Sequence, residues 1–346
     1  MTKLTIRDIA RLSGLSKSTV SLVLNNSPRV DPATRERVLE VMRSHNYVPN
    51  FAATALARGN TRLIGMIVPG LTWRLVAAIN YGVASVVEDS DYEIILYTST
   101  NDRDYGRVIE RILASKLSTG LLVVTHNQPL EPLEELQRGG LPVVLVDTLG
   151  AQSSLPSVVA DNYGGAHAAV RHLVELGHRR IACIEGPMEY QCCLDRTRGY
   201  TDALREAGIA VRPELVTKGE FAADTVAAST RALLDLPKRR RPTAIFAHSD
   251  ITAYAVMEAV EDAGLKVPDD ISIVGFDDLV SSEHVRPALT TIRQPFEEMG
   301  QQAARLLLST IDPAPGDKPG ANTADEPARI SLSTSLIIRD SCTTSA

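Results

Sequence analysis

The sequence lacks the features that would place it in a membrane, outside the cell or around a structural zinc ion. It contains no run of about 18 apolar residues, which a membrane-spanning helix needs, and no apolar signal segment near its start. Its four cysteines, Cys183, Cys192, Cys193 and Cys342, show no CxxC or zinc spacing, as is typical of reduced cytosolic thiols. We therefore expect a cytoplasmic protein that makes no contact with a membrane.

Motifs of the common enzyme classes are absent as well. There is no P-loop, no HExxH, no GxSxG and no GxGxxG after a predicted strand. His178, in LGHRRIACI, falls in a turn between a helix and a strand, and we interpret it as structural rather than as a catalytic base. No nucleophile or acid/base constellation can be assembled, so we expect no enzymatic activity, no cofactor and no metal.

Charge is distributed unevenly along the chain. Residues 1–60 hold nine Lys/Arg and four Asp/Glu, a net charge of +5, whereas the whole chain carries −6. The remaining residues therefore carry −11. A basic head on an acidic body indicates that the head meets a polyanion, although a solvated basic face would give the same count.

Three short helices are predicted in the head, each with its own start signal. Thr5 with Asp8 three residues on can cap the first, Ser16 the second, and Asp31 before Pro32 the third. The link SGLS between the first two is short and contains glycine, as a helix-turn-helix requires. The second helix of that motif lies in the major groove of DNA. A three-helix cap without a DNA-binding role is the alternative.

The second predicted helix carries a leucine in the middle of its polar face. Leu22 has no place on the inward face, which Val20, Val23 and Leu24 already fill at helical spacing. It suits the methyl group of thymine, which only an apolar side chain can read. We predict that Leu22 shifts base preference at one operator position away from guanine, and a surface leucine without such a role is the alternative. Its polar neighbours suit phosphates or base edges: Lys17, Ser18, Thr19 and Ser21.

The segment PNFAATALARGNT (49–61) is rich in alanine, which favours helix. It is only about a dozen residues long and would not be a stable helix alone. Small residues, Ala52, Ala53 and Ala57, would let two such helices approach closely in a dimer. Leu56 is the one large apolar side chain in its second half. A flexible tether, with Leu56 packed on the body, is the alternative.

From residue 61 onward, apolar runs alternate with helical patterns. This alternation predicts βαβ units, parallel sheets and, because the theme repeats, two lobes of similar build. Helices are expected near 73–90, 104–116, 131–138, 163–177, 194–208, 224–235 and 250–263. Strands are expected at LIGMIVP, YEIILYTST, GLLVVTHN, PVVLVDT, RIACIEGP, ELVTKGEF, TAIFAHSD, ISIVGFDD and ISLSTSLIIR.

Polar and aromatic residues follow many of these strands. Ligands of open α/β sheets bind beyond the carboxyl ends of the strands, so these residues are candidates to contact a ligand. Carboxylates could accept hydrogen bonds from vicinal hydroxyls, Arg196 could donate, and aromatic rings could stack on an apolar sugar face. Two of the carboxylates, Asp147 and Asp250, could instead be helix caps. The candidates are Trp73, Asn101, Asn127, Asp147, Arg196, Phe221, Ser249, Asp250 and Asp277.

The head closely resembles that of the lactose-repressor/galactose-repressor family of bacterial transcription regulators. The motifs that carry the likeness are TVS.VLN, V...TRERV and NY.PN, and they continue into FAATALARGNTRLIGMIVP and, more loosely, to about residue 340. The resemblance implies an α/β fold with a three-helix helix-turn-helix head (1–49), a hinge helix (50–60) and a two-lobed core resembling periplasmic binding proteins (61–340). Its three crossings between lobes are expected near 160–163, 290–294 and 320–330. The N-lobe would then comprise about 61–161 and 292–322, and the C-lobe about 162–291 and 323–340.

The family also implies roles for individual residues. Lys17, Ser18 and position 22 should face base edges, where this chain has leucine in place of the arginine or histidine of many members. Leu56 should wedge into a minor-groove base step. Arg196, Phe221 and Asp277 match family ligand positions, and Ser249 stands where many members have asparagine. The expected DNA contacts are Thr5, Ser16, Lys17, Ser18, Thr19, Ser21, Leu22, Asn25, Arg35, Asn50, Ala53 and Leu56.

The resulting hypothesis is a sequence-specific transcription regulator, usually a repressor, associated with the nucleoid. It would act as a homodimer on a near-palindromic operator, with an affinity controlled by a small-molecule effector between the lobes. A sugar is the expected effector, and a nucleobase or nucleoside is the alternative. A solute-binding protein would share the body but have no use for residues 1–60, and an enzyme would need the missing constellation.

Overall fold

The computed structural model describes residues 4–24, 27–47, 61–70, 74–98, 105–124, 129–147, 154–313 and 327–345. The chain divides into two compact units, residues 1–62 and residues 63–346. The predicted hinge helix, residues 50–60, lies outside the described residues.

The head contains three helices, α1 (Ile6–Ser13), α2 (Lys17–Leu24) and α3 (Pro32–Ser44). All three predicted caps are present. Asp8 accepts hydrogen bonds from the backbone N–H and the hydroxyl of Thr5 at 2.9 and 2.7 Å, and Ser16 Oγ and Asp31 Oδ1 accept from backbone N–H groups at 3.1 and 2.9 Å. Gly14 ends α1 with a φ of 69°, a left-handed conformation that glycine adopts without strain.

A small apolar core holds the three head helices together. Its buried members are Ile9, Ala10, Val20, Val23, Val30, Val38 and Met42. Leu24 is only half-buried, so the inward face of α2 consists mainly of Val20 and Val23. Leu22 is 38% exposed, and its outward position follows from the helical spacing of these two valines.

The second unit consists of strands and helices that alternate along the chain, as predicted. The helices are α4 (Arg74–Val87), α5 (Tyr105–Ser115), α6 (Glu131–Arg138), α7 (Asn162–Glu175), α8 (Gln191–Glu206), α9 (Ala223–Leu234), α10 (Asp250–Asp262) and α11 (Phe296–Ile311). The strands are β1 (Leu63–Val68), β2 (Glu93–Thr98), β3 (Gly120–Val124), β4 (Val143–Val146), β5 (Ser157–Ala160), β6 (Ile181–Glu185), β7 (Val216–Lys218), β8 (Ala244–Ala247), β9 (Ser272–Asp277), β10 (Thr290–Arg293), β11 (Arg329–Leu332) and β12 (Ser335–Ile337).

These strands form two six-stranded sheets, one in each lobe. The N-lobe sheet has the order β11-β5-β4-β3-β1-β2 and is parallel throughout. The C-lobe sheet has the order β12-β10-β9-β8-β6-β7 and is parallel except for the β10–β12 pair. Helices cover both faces, and the inner strands are buried except for end residues of β1, β9 and β10, as is typical of parallel sheets. The predicted α/β architecture, with a helix-turn-helix head and a two-lobed core of parallel sheets, is confirmed.

The chain passes between the two sheets at three places. They lie at Asp161, at 294–295 and at 333–334, each between elements of different lobes. The third lies later than the expected 320–330, because ISLSTSLIIR is not one strand of the C-lobe. It is divided into β11, which joins the N-lobe sheet, and β12, which joins the C-lobe sheet. The N-lobe therefore extends to Leu332.

Three elements are absent from the sequence-based prediction: the four-residue strands β5 and β10, and helix α11. Helix α11 packs closely against α4 through two glycines. A Cβ placed on Gly82 would lie 1.9 Å from the carbonyl oxygen of Glu297, and one on Gly300 would lie 2.1 Å from that of Ile79. Only hydrogen at these positions allows the two backbones to approach so closely.

Candidate functional site

The outward face of α2 is the candidate DNA interface of the head. Lys17 and Ser18 are exposed, Thr19 and Ser21 are half-buried, and Leu22 lies among them. The hydroxyl of Ser16 lies 2.7 Å from that of Ser18 and 2.8 Å from that of Thr19. This arrangement presents one ammonium group, a cluster of hydroxyls and one apolar side chain on a single face. Such a set can contact phosphates, base edges and a thymine methyl.

Two other predicted DNA contacts already make bonds within the head. Thr5 donates both its backbone N–H and its hydroxyl to Asp8, so it has no donor left for a phosphate while this cap persists. The expected DNA contact of Thr5 stays a prediction. Arg35 donates from Nη2 to the carbonyl oxygen of Ser27 at 2.7 Å, which holds α3 against the segment after α2. Asn25, Asn50, Ala53 and Leu56 lie outside the described residues.

The candidate effector site lies at the carboxyl ends of the C-lobe strands, and Arg196 is at its centre. This arginine is on α8 and only 4% exposed. Its Nε donates to Asn162 Oδ1 at 2.9 Å, and its Nη1 donates to the carbonyl oxygen of His248. Its Cζ lies 3.8 Å from the centre of the Phe276 ring. These contacts fix the guanidinium in one orientation.

Asp277, at the end of β9, faces this guanidinium. Its Oδ1 lies 3.8 Å from Arg196 Nη2 and accepts a hydrogen bond from Gln294 Nε2 at 2.7 Å. Burial raises the pKa of Asp277 to about 7, and the positive charge of Arg196 opposes this rise. An open groove of about 580 Å³ runs beside Asp277 and Gln294 along α11, and its lining does not include Arg196, Asp147 or Phe221. The carboxylate and the guanidinium can thus offer an acceptor and a donor to one ligand.

Asp147 brings the N-lobe to the same site. It follows β4, is buried, and has a φ of 54°. Its charge acts on the pKa values of Asp277, Arg196 and Cys192, all of which belong to the C-lobe. Asp147 therefore lies within electrostatic range of these predicted C-lobe residues.

Phe221 supplies an aromatic ring at the same edge of the C-lobe sheet. It is half-buried, has a φ of 52° and lies over Gly186, the residue after β6. A Cβ on Gly186 would lie 2.4 Å from Phe221 Cζ and 2.7 Å from Cys193 Sγ. Glycine at 186 thus lets the tip of the ring lie against the strand end. Cys193 is buried beneath it, as part of the wall of the site.

Ser249 and Asp250 serve the protein rather than the site. Ser249 caps α10, because its Oγ accepts from the N–H of Thr252 at 3.1 Å. Asp250 is fully buried, and its carboxylate accepts three hydrogen bonds, from the Leu279 N–H at 2.7 Å and from two hydroxyls at 2.5 Å. The predicted ligand contact of Asp250 is wrong, because no part of it is accessible. It anchors the loop after β9 and strand β10.

Three residues of the site are missing from the sequence-based candidates. Asn162 and Gln294 hold Arg196 and Asp277, and both lie where the chain passes between lobes. His248 is fully buried, burial lowers its pKa well below the usual value, and it accepts from the Gly186 N–H at 3.2 Å. None of the three belongs to a motif, although each directly follows a strand or a crossing. Trp73, Asn101 and Asn127 lie outside the described residues.

Within the described ranges, no group of three or more His, Cys, Asp or Glu side chains could hold a metal ion. No helix there is both long and apolar enough to cross a membrane.

Both parts of the chain match known protein families. Residues 5–50 match the model of bacterial regulatory proteins of the lacI family, and residues 170–342 match that of a periplasmic binding protein-like domain. The HTH-type transcriptional repressor CytR of Escherichia coli K12 is 34% identical over 310 residues, covering 90% of both chains.

Two solved structures extend the match to the whole fold. The transcriptional regulator CelR, in complex with cellobiose, is 32% identical with a TM-score of 0.71 and covers 98% of this chain and 99% of its own. The lac repressor dimer bound to operator and the anti-inducer ONPF is 26% identical with a TM-score of 0.84 and covers 99% and 100%. With its helix-turn-helix head and two-lobed core, this chain belongs to the lacI family of bacterial regulatory proteins.

Proposed function

We propose that this protein is a homodimeric transcription repressor that is associated with the nucleoid. It binds a near-palindromic operator through α2 and responds to a sugar bound between the core lobes. The observation that carries the effector part is the buried Arg196–Asp277 pair, which presents a fixed donor next to an acceptor. The proposed chemistry is binding without turnover.

The donor and acceptor suit a polyhydroxylated ligand. A sugar hydroxyl both donates and accepts, so adjacent hydroxyls can bond to Asp277 and Arg196 at once. The ring of Phe221 can cover an apolar sugar face, and Asp147 can bond a hydroxyl from the N-lobe side. The cellobiose complex of CelR, similar over 98% of this chain, supports a sugar as the class of ligand.

A ligand held from both lobes gives a route from effector to DNA. Asp147 belongs to the N-lobe and Arg196 to the C-lobe, so a ligand that contacts both favours the closed arrangement of the lobes. The first and third crossings are joined, since Thr334 Oγ1 donates to the carbonyl oxygen of Asp161 at 3.2 Å. Closure is thus a hinge movement about joined segments. The free energy of operator binding differs between the open and closed arrangements, and closure therefore changes operator affinity.

Exposed apolar side chains on both lobes support a dimer. Soluble monomers keep large apolar side chains scattered, and groups of them mark interfaces. In this core, α4, β2 and α5 expose Tyr81, Leu96 and Leu113, and the C-lobe exposes Ile251 and Val280. The lac repressor, similar over 99% of this chain, is a dimer on its operator. Val280→Glu should weaken dimerisation, as light scattering after gel filtration would show.

The experiment has two arms. In the first, the full chain is titrated onto fragments of about 20–30 base pairs from the region upstream of its gene, and a specific shift at moderate salt is expected. In the second, thermal shifts are recorded with panels of sugars and nucleosides, because a tight ligand raises the melting temperature by mass action. The identified ligand should then change operator affinity.

Each arm can contradict its own part of the proposal. Absence of a specific shift would count against the operator-binding role. Stabilisation by nucleosides and not by sugars would replace the proposed ligand class with the alternative. Stabilisation by a sugar without any change in DNA affinity would remove the regulatory link.

A further inference from the structure

A second concentration of positive charge lies in the C-lobe, at the edge of the sheet opposite the effector site. The effector residues follow the carboxyl ends of β6, β8 and β9, whereas this group precedes β6, β7 and β8. We call it the basic patch. It consists of Arg179, Arg180, Arg212, Lys238, Arg239, Arg240 and Arg241.

The patch is built on a rigid base. The N–H groups of Arg240 and Arg241 both donate to the carbonyl oxygen of Pro237, at 2.6 and 2.9 Å, so residues 237–241 form a tight turn. Arg180 clamps this turn, because its Nε donates to the carbonyl oxygen of Arg241 at 2.7 Å. Beneath the patch, buried His178 lies 2.9 Å from the hydroxyl of Thr243, the residue that leads into β8.

The protein neutralises little of this charge itself. Glu214 pairs with Arg240 at 2.9 Å, and its pKa is held below the usual value by that hydrogen bond and by the charges of Arg240 and Arg212. Arg179, Lys238 and Arg239 are exposed and make no ion pair with any described side chain. The buried Nε of Arg241 has no hydrogen-bond partner within the described part of the chain.

The composition of the patch indicates what binds there. Six of its seven cations are arginines, whose planar forks pair with phosphate in bidentate fashion. The segments that carry it, GHRR, VRPE and PKRRRP, contain no Phe, Tyr or Trp, and protein interfaces usually depend on such anchors. Residues 61–346 carry −11 in total with the patch included, so this concentration is a local reversal of charge.

We propose that the basic patch binds the phosphate backbone of duplex DNA without sequence preference, as a contact separate from that of the head.

The test measures binding of the full chain to a random-sequence 40-base-pair duplex over a series of salt concentrations. The patch variant replaces two exposed cations, Lys238→Gln with Arg239→Gln. The matched control, Lys116→Gln with Arg138→Gln, removes one exposed lysine and one exposed arginine from the N-lobe. Because the head is the same in all proteins, differences between them report the core.

The slope of log K against log salt should become shallower by roughly 1–2 in the patch variant, since each neutralised phosphate contributes about 0.9. The control and a charge-keeping variant, Lys238→Arg with Arg239→Lys, should match the wild type. Equal slopes in patch variant and wild type would overturn the proposal. So would loss of binding to a labelled polyglutamate probe with DNA binding unchanged, which would assign the patch to an acidic polypeptide.

Discussion

The guanidinium of Arg196 lies over the ring of Phe276, with its Cζ 3.8 Å from the ring centre, and its Nη2 lies 3.8 Å from Asp277 Oδ1. Stacking uses the face of the guanidinium and leaves its N–H groups in the plane for hydrogen bonds. A lysine ammonium has neither the face nor the fork. The pair Arg196–Phe276 therefore determines which cation this site can use.

Arg196→Lys should weaken effector binding by about 10–100-fold, or roughly 1.4–2.8 kcal/mol, because the stacked fork and its bonds to Asn162 and His248 are lost. Calorimetric titration with the ligand found by thermal shift would measure this. The matched control is Arg198→Lys, two residues along α8, whose side chain is 63% exposed and lies over Tyr163. Equal effects of the two substitutions would refute the role given to Arg196.

Leu22→Arg should change the preferred base at one operator half-site position, because arginine donates to guanine and leucine contacts the thymine methyl. Selection of preferred sites from a random duplex library would reveal the change. Leu39→Arg is the matched control, because Leu39 is 37% exposed, close to the 38% of Leu22, but lies on α3. If wild type and Leu22→Arg select the same base, Leu22 is not a reader.

Stability should fall as pH rises from about 4 to about 7. Burial raises the pKa of Asp277 from 3.8 to about 7 and that of Asp250 to about 6, so the folded state holds protons that the unfolded chain releases. The stabilisation from these protons is complete below pH 3.8 and is lost as pH passes through the folded pKa values. Asp277→Asn should flatten this part of the profile, and exposed Asp262→Asn should not. Urea titrations at several pH values would measure both.

Gly300→Ala should destabilise the core by about 2–3 kcal/mol, although alanine is the better helix former by about 1 kcal/mol. The added methyl group would lie 2.1 Å from the carbonyl oxygen of Ile79 and force α4 and α11 apart. Gly106→Ala, in α5 with nothing within 4 Å of its Cβ, should be neutral or stabilising. Denaturant melts of both variants would decide, and a harmless Gly300→Ala would contradict the packing argument.

Much of this architecture was predictable because the chain is strongly periodic. Buried strands such as Leu63–Val68 are unbroken apolar runs, and the head helices carry recognisable caps. The strands Ser157–Ala160 and Thr290–Arg293 were missed because their sequences, SVVA and TTIR, include polar residues, whereas the equally short strands β4 and β8 are wholly apolar. Their places in the sheets depend on β11 and β12, which are far away in sequence.

The charged residues of the site, Arg196 and Asp277, were predictable from the sequence, whereas the residues that hydrogen-bond to them were not. Arg196, Asp277 and Phe221 follow the rule that ligands bind beyond strand ends. Asp250 also follows a strand in the sequence, yet its side chain turns into the protein towards Ser282 and Thr291. Sequence position cannot distinguish these two directions. Gln294 and Asn162 were not predicted, because an amide side chain at a crossing between lobes has no distinctive sequence pattern.

The close contact between α4 and α11 also affects how the protein is made. Most of the N-lobe, up to Ala160, leaves the ribosome first, but α11 ends at Ile311 and β11 at Leu332. At about 5–20 residues per second, the nascent N-lobe waits roughly 10–30 s for the helix that fills its groove. During that time the apolar side of α4 has no partner from α11. The lobe that is translated first is therefore completed late, and chaperones have a defined surface and interval in which to act.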